Sequence, residues 1–546
     1  MKRLLLGLSC LALSFSQQSL AQAQYAFRIS FVNKNGTASL SEASTFLSER
    51  ALSRRQAQGI AVDSLDLPVS PDYLDSVLTL TGGVLHVTSR WFNQCVLLLS
   101  DTSQMPALRS KNYVRSVARV GYFPSPLHLK GNPAGAALSA NAQKPAGDAA
   151  YYGQSYTQTA LVHGDALHDA GFKGAGKLIA VLDVGFLEIN THAGFDSLRN
   201  SGRILETHNF LTNSSNVDAY TIHGTASLSA MAGYEPGLYV GSAPLAAYAL
   251  YITDDNYNEQ PVEEDMLVAG LERADSLGAD IANMSLGYNI FTGPITGAYT
   301  PDSLNGHGTL PAKAVNLATA RGIFCVVSAG NEGGNSWNYL LSPGDADSAL
   351  TVGAIDANKV PAGFSGPGPN ASGRVKPDIC MMGNPAVVFL SFNGIGGSTG
   401  TSFAAPQAAG YAACLWQAAP GATPYTLRQA IIQSADHYSN PTPKLGYGVP
   451  DFSLALQQLG VAPTAPVVAA VRVGPVPFQG FLRVYLPEAN TDYQLALYHI
   501  GGALVWQGSL SAGMQEVQLP GDLAKGIYLL KVSGEKGVVV KRLVKG

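Results

Sequence analysis

At 546 residues the chain exceeds what one compact core can bury and points to about three domains. Only 13% of its residues are charged, against roughly 25% in an average soluble protein, Gly is abundant at 59, and the net charge is −4. That balance excludes a basic field for nucleic acid, and no later segment is apolar for long enough to span a bilayer.

The chain opens with Met1-Lys2-Arg3, an apolar run from Leu4 to about Leu13, and Ala21-Gln22-Ala23. A charged start, a short apolar centre and a small-residue end read as a cleaved secretory signal peptide over residues 1–23. Cys10 lies inside that run without lipoprotein context. The four remaining cysteines, Cys95, Cys325, Cys380 and Cys414, are too widely spaced for a metal pattern. One disulfide and isolated buried thiols both stay open for them.

Residues 24–128 read as a small α+β unit. Apolar runs at 25–32, 92–99 and 114–123 predict strands, and Ser39 with Glu42 forms a capping box that opens a helix to about residue 58. The size suits a pro-domain, with a stand-alone substrate-binding domain as the alternative. Periodicity then disappears over residues 129–155 among Gly131, Pro133, Gly135 and Pro145, which predicts a linker open to cleavage.

Across residues 156–460 apolar strands alternate with helices. The runs at 178–182, 245–252, 280–285, 323–328 and 350–354 have the continuous apolar character of strands buried on both faces. Pro261 opens one intervening helix and Gly278 follows it; Pro311 and Gly322 bracket another. Strands separated by helices imply right-handed crossovers and an α/β fold, a parallel sheet with helices on both faces. Active sites in such sheets lie at the carboxyl ends of the strands. Residues 461–546 change character: two-residue alternation at 481–486, 493–498 and 526–532 between Gly and Pro turns predicts a small antiparallel β-sandwich.

Within the α/β region, Gly400-Thr401-Ser402 leads from a Gly-rich approach into an Ala-rich helix, so Ser402 stands at a helix N-terminus, where free N–H groups favour an oxyanion. A hydroxyl is a weak nucleophile at neutral pH and needs a histidine to take its proton and a carboxylate to fix the imidazole. Asp183 ends the strand at 178–182, and His223-Gly224-Thr225 opens a small-residue helix. Asn331 follows the strand at 323–328 in Ala329-Gly330-Asn331-Glu332-Gly333. Taken alone, Ser402 reads more readily as a helix cap and Asn331 as a turn residue.

The order Asp183, His223, Asn331, Ser402 with these flanking residues resembles the subtilisin-like serine proteases, or subtilases, over about residues 161–456. Residues 351–354 and 446–451 resemble further core segments of that family. The resemblance implies that Ser402 is the nucleophile, His223 the general base, Asp183 its orienting carboxylate and Asn331 an oxyanion donor. It also implies that Ser285-Leu286-Gly287 and Ala329-Gly330 bind substrate, their small side chains suggesting a roomy pocket. Val184 departs from the Ser or Thr usual after the aspartate and removes a hydroxyl near the carboxylate. His307-Gly308-Thr309 repeats the histidine triplet but follows the substrate strand, so it ranks below His223.

The sequence is accordingly expected to encode a secreted serine endopeptidase made as a precursor: pro-domain at 24–128, peptidase domain at 156–460 and C-terminal domain at 461–546. A catalytically silent binding protein of the same fold and a peptide ligase or cyclase are the alternatives. No cofactor is expected; many relatives bind structural calcium, and no stretch here has calcium-loop spacing. The last domain, with Gly526 to Val532 and the basic end Lys541-Arg542-Leu543-Val544-Lys545, looks like a type IX secretion sorting domain. The expected partners are polypeptide substrates, the chain's own pro-domain as inhibitor, and the secretion machinery.

Overall fold

A computed structural model describes residues 24–123, 148–255, 258–461, 471–486, 492–534 and 537–546. The expected signal peptide and most of the expected linker lie outside these residues. The first unit is an antiparallel sheet of β1 (Gln24–Phe31), β2 (Val84–Ser89), β3 (Gln94–Leu99) and β4 (Val114–Phe123) in the order β2-β3-β1-β4, with α1 (Glu49–Ala57) and α2 (Pro71–Thr81). The capping box at Ser39 forms, with Glu42 Oε2 accepting the Ser39 N–H at 2.8 Å. It opens only a short 3-10 turn, Leu40–Thr45, and Ser48 then caps α1 afresh through the Ala51 N–H, so the single helix expected to residue 58 is two pieces.

The body is a seven-stranded sheet in which every neighbouring pair is parallel. Its strands are β5 (Leu178–Asp183), β6 (Ile204–Asn209), β7 (Ala247–Ile252), β8 (Ile281–Met284), β9 (Phe324–Ser328), β10 (Leu350–Ile355) and β11 (Ile379–Met382), ordered β11-β10-β9-β8-β5-β7-β6. Four of its helices matter here: α3 (His223–Ala232), α4 (Val262–Leu277), α5 (Leu310–Ala320) and α6 (Thr401–Ala418). α3 and α6 are almost wholly buried, which their Ala, Ser and Gly residues permit because short side chains let backbones approach. At Gly410 a Cβ would stand 1.9 Å from Ser242 Oγ, so α6 can pass there only with glycine.

The first unit sits on α4 through buried ion pairs. Asp275 is fully buried and takes Arg54 at 2.5 Å and Arg55 and Arg90 each at 2.6 Å, all three from the N-terminal unit. Glu272 accepts the Ser89 hydroxyl and the backbone N–H groups of Arg90 and Trp91. Burying a carboxylate is costly unless partners are supplied, and here the docked unit supplies them. At the other end, β12 (Arg472–Gly474), β13 (Phe481–Leu486) and β16 (Gly513–Gln518) form one sheet, and β14 (Asp492–His499), β15 (Leu504–Ser511), β17 (Gly526–Gly534) and β18 (Gly537–Lys545) form another. Both share one apolar core, with Val484 and Val517 from the first and Leu497 and Val532 from the second.

Arg472 joins this sandwich to the body, paired with Asp169 and lying over the rings of Tyr151, Tyr152 and Tyr485 at 4.8, 5.2 and 5.2 Å. Tyr151 and Tyr152 belong to a short helix, Asp148–Tyr152, and are fully buried. Residues 149–155 are thus part of the body, not of the linker expected to reach 155. Asp275→Ala, made in a Ser402→Ala background to keep the chain intact, should lower the unfolding free energy by about 3–5 kcal/mol, because Arg54 and Arg90 lose their paired carboxylate and Arg55 keeps only Asp66. Urea unfolding of the full chain checks this; an unchanged midpoint would mean the cluster does not hold the two units together.

Candidate active site

Asp183 closes β5 with its carboxylate fully buried. Oδ1 accepts the Val184 N–H at 2.8 Å and His223 Nδ1–H at 2.6 Å. The histidine reaches it because two glycines let their loops touch: the Gly224 N–H donates to the Gly185 carbonyl at 2.8 Å, where a Cβ on Gly224 would stand 2.3 Å from that oxygen. With Nδ1 committed to the carboxylate, Nε2 is left for the cleft, and the His223 side chain keeps 31% of its surface open. Burial pulls the imidazolium pKa down, while the charge and hydrogen bond of Asp183 push it up, and the balance lies above the ordinary imidazole value. Asp183 Oδ2 is buried and has no hydrogen-bond partner among the described residues; Val184, the next residue, has no hydroxyl to offer it.

Ser402 is the second residue of α6, behind Gly400, whose φ of 154° suits glycine. Its hydroxyl donates to the Ser285 carbonyl at 3.2 Å; among the hydrogen bonds of the described residues none joins it to His223. The two are nonetheless neighbours, since the His223 ring lies 5.4 Å from the ring of Phe403 and both residues line one cleft. Hydrogen bonds between a nucleophile and its base are often long or poorly aligned without substrate and tighten when it binds. Pro406 removes the N–H that would bond the Ser402 carbonyl within the helix. Ser285 Oγ at 2.8 Å and Ser227 Oγ at 3.4 Å donate to that carbonyl instead, tying the serine to β8 and to the histidine's own helix.

Asn331 follows β9. Its Oδ1 accepts both the N–H and the hydroxyl of Thr401 at 3.0 Å, and the Thr401 hydroxyl accepts the Gly330 N–H at 3.2 Å. With the oxygen so engaged, Nδ2 has no hydrogen-bond partner among the described residues, and Asn331 lines the cleft. Ser402 is too near the start of α6 for its own N–H to find an acceptor within the helix. The cleft therefore holds an imidazole whose Nδ1 is fixed by a carboxylate, a serine hydroxyl on the same lining, and the Asn331 amide and Ser402 N–H beside it.

The cleft has a volume of about 260 Å³ and is lined by His223, Ser285, Leu286, Gly287, Gly330, Asn331 and Ser402, bringing together most residues singled out from the sequence. Ala329 is not among them: it is fully buried against Leu304 and Leu340, and its carbonyl accepts the Leu341 N–H. His307, the rival histidine, is 66% exposed beside Asp347 and does not line the cleft. Three lining residues escaped the sequence reading: Asp254, Glu259 and Leu341. Asp254 accepts the Tyr288 hydroxyl at 2.5 Å and the Thr253 hydroxyl at 2.6 Å, and burial, with the charges of Glu259 and Asp183, drives its pKa upward. Its place just past the end of β7 was the available signal. Leu341 overturns the expected roomy pocket, because its side chain already lies against both Gly287 and Gly330.

Comparison with known proteins adds to this geometry. Residues 174–449 match the model of the Subtilase family, residues 26–131 a peptidase S8 propeptide domain of Bacteroidota, and residues 472–546 a secretion system C-terminal sorting domain. Subtilisin DY of Bacillus licheniformis is 28% identical over 279 residues, covering 50% of this chain and 89% of that protein. Subtilisin Savinase of Lederbergia lenta is 30% identical over 288 residues, covering 52% and 90%. Among solved structures, the prenylagaramide maturation protease PagA aligns with a TM-score of 0.43 at 22% identity, over 55% of this chain and 99% of its own.

Val184→Thr should set a donor beside the orphaned Asp183 Oδ2 and raise the unfolding free energy by about 1 kcal/mol. Thermal unfolding of the Ser402→Ala precursor with and without the change reads this directly, and no gain would mean that the oxygen is already satisfied.

Proposed function

Because the chain belongs to the subtilase family, and is by that membership a serine protease made with its own propeptide domain, we propose that it cleaves peptide bonds through Ser402, His223 and Asp183. A sorting domain at its C-terminus marks it for export to the cell surface or beyond. The observation that carries the reading is the 2.6 Å bond between His223 Nδ1 and buried Asp183 Oδ1, with His223, Asn331 and Ser402 opening on one cleft.

In this reading an extended substrate lays its backbone along the Ser285-Leu286-Gly287 segment past the end of β8. The Ser402 hydroxyl turns from the Ser285 carbonyl to His223 Nε2, gives up its proton and attacks the scissile carbonyl. Asn331 Nδ2 and the Ser402 N–H hold the resulting oxyanion, and the positive end of α6 favours the same charge. His223 then returns the proton to the leaving amine, and water repeats the sequence to release the acyl group. Asp183 remains ionised throughout, steadying the imidazolium. No cofactor takes part in these steps.

The test uses the mature protein, casein and a fluorophosphonate. Wild type should hydrolyse casein and carry the label on Ser402. Ser402→Ala should do neither, and should accumulate the uncut precursor if maturation is autocatalytic, whereas wild type should acquire an N-terminus between about residues 130 and 148, ahead of the buried Tyr151. Asn331→Ala should lower kcat by about 10²–10³-fold. Labelling at another residue, or casein cleavage by Ser402→Ala, would contradict the reading, and product masses on a defined peptide separate hydrolysis from ligation.

The pH dependence follows from His223. The base works only when neutral, and its pKa lies above the ordinary 6.5, so kcat/KM should rise with pH through a midpoint above 6.5. Asp183→Asn removes the charge that raises it and should move that midpoint down while lowering the rate. A wild-type midpoint at or below 6.5 would contradict the assignment.

A further inference from the structure

The residues that wall the space beside Ser402 come from two strand ends, Ser285-Leu286-Gly287 past β8 and Gly330-Asn331 past β9. Glycines at such positions ordinarily leave room for a large side chain. Here the space between them is taken by Leu341. A Cβ on Gly287 would stand 2.7 Å from Leu341 Cβ, and one on Gly330 would stand 2.5 Å from its Cγ and 2.9 Å from its Cδ1. Carbon atoms rest at about 3.5–4.0 Å, so this side chain already spans from wall to wall.

The segment that carries it is held at several points. The Leu341 N–H donates to the Ala329 carbonyl at 3.1 Å, and its own carbonyl accepts the Gly344 N–H at 2.7 Å. Ser342 exchanges two backbone bonds with Tyr288, at 2.7 and 3.1 Å, and its hydroxyl pairs with Thr309 Oγ1 at 2.6 Å. Leu340, on the other side, is fully buried. Moving the backbone of Leu341 aside would break bonds to both walls.

We propose that Leu341 closes the pocket for the side chain preceding the scissile bond, so that the enzyme cleaves after alanine, glycine or serine and rejects aromatic and long aliphatic residues there. This rests on the serine-protease reading above and names its substrate class. A large side chain would have to overpack the site, which costs enough to lower kcat/KM by at least about tenfold.

The experiment takes mature enzyme and peptides identical except for Ala, Leu or Phe before the cleaved bond, with the active fraction counted by fluorophosphonate labelling of Ser402. Wild type should favour Ala over Phe by at least about tenfold in kcat/KM. Leu341→Gly should reverse that ratio, and Leu341→Ala should move it in the same direction, serving as the second variant if the first does not fold. Labelled wild type that cleaves after Phe as fast as after Ala, or labelled variants with an unchanged ratio, would overturn the pocket assignment alone. Wild type that is neither labelled nor active on any peptide would bring down the protease reading and this proposal with it.

Discussion

A carboxylate buried at the end of a central strand is the constraint around which the proposed active site is built. Asp183 meets the imidazole of His223 at 2.6 Å, and both charge and hydrogen bond favour the protonated ring against the penalty of burial. The contact exists only because the two loops that carry the pair touch at Gly185 and Gly224, where no side chain fits. The serine is brought to the same place by a different device. Pro406 leaves the Ser402 carbonyl without its helical donor, and hydroxyls from Ser285 and Ser227 anchor it to the neighbouring strand and helix.

The same use of buried charge recurs at both ends of the chain with another purpose. The propeptide unit is held by arginines converging on Asp275, and the sorting domain by Arg472 among three tyrosines. Such contacts are demanding in geometry, since a lone partner left behind is a buried unpaired charge. They fix where the units dock more than how firmly. Without the propeptide unit, Asp275 and Asp265 would lose their arginine partners and Glu272 its donors from Ser89, Arg90 and Trp91, and α4 would present an acidic face.

The parts of the fold that could be read from sequence are those where local pattern and burial agree. β5, β8, β9 and β10 are continuous apolar runs, and Pro261, Gly278 and Gly322 lie at the ends of the helices they punctuate. β6, with Glu206, Thr207 and His208, lies at the sheet's edge and carries too little apolar signal to be recognised. Ser39 capped a turn as its motif implies, yet nothing local shows that Ser48 restarts the helix. The misread end of the linker has a long-range cause: Tyr151 and Tyr152 are buried partly by Arg472, more than three hundred residues away. Which residues meet in the cleft was largely legible, because the proposed chemistry restricts residue type and order. The depth of the cleft was not, because Leu341 arrives from a loop whose path no short pattern encodes.

The account stands or falls on whether Ser402, His223 and Asn331 act on one reacting centre. A crystal structure of the mature enzyme inhibited by a peptidyl phosphonate measures this directly. The phosphorus should be bonded to Ser402 Oγ, with one phosphonyl oxygen about 2.7–3.1 Å from both Asn331 Nδ2 and the Ser402 N–H, and His223 Nε2 facing the adduct. An adduct on another residue, or an imidazole turned away from a modified Ser402, would contradict it.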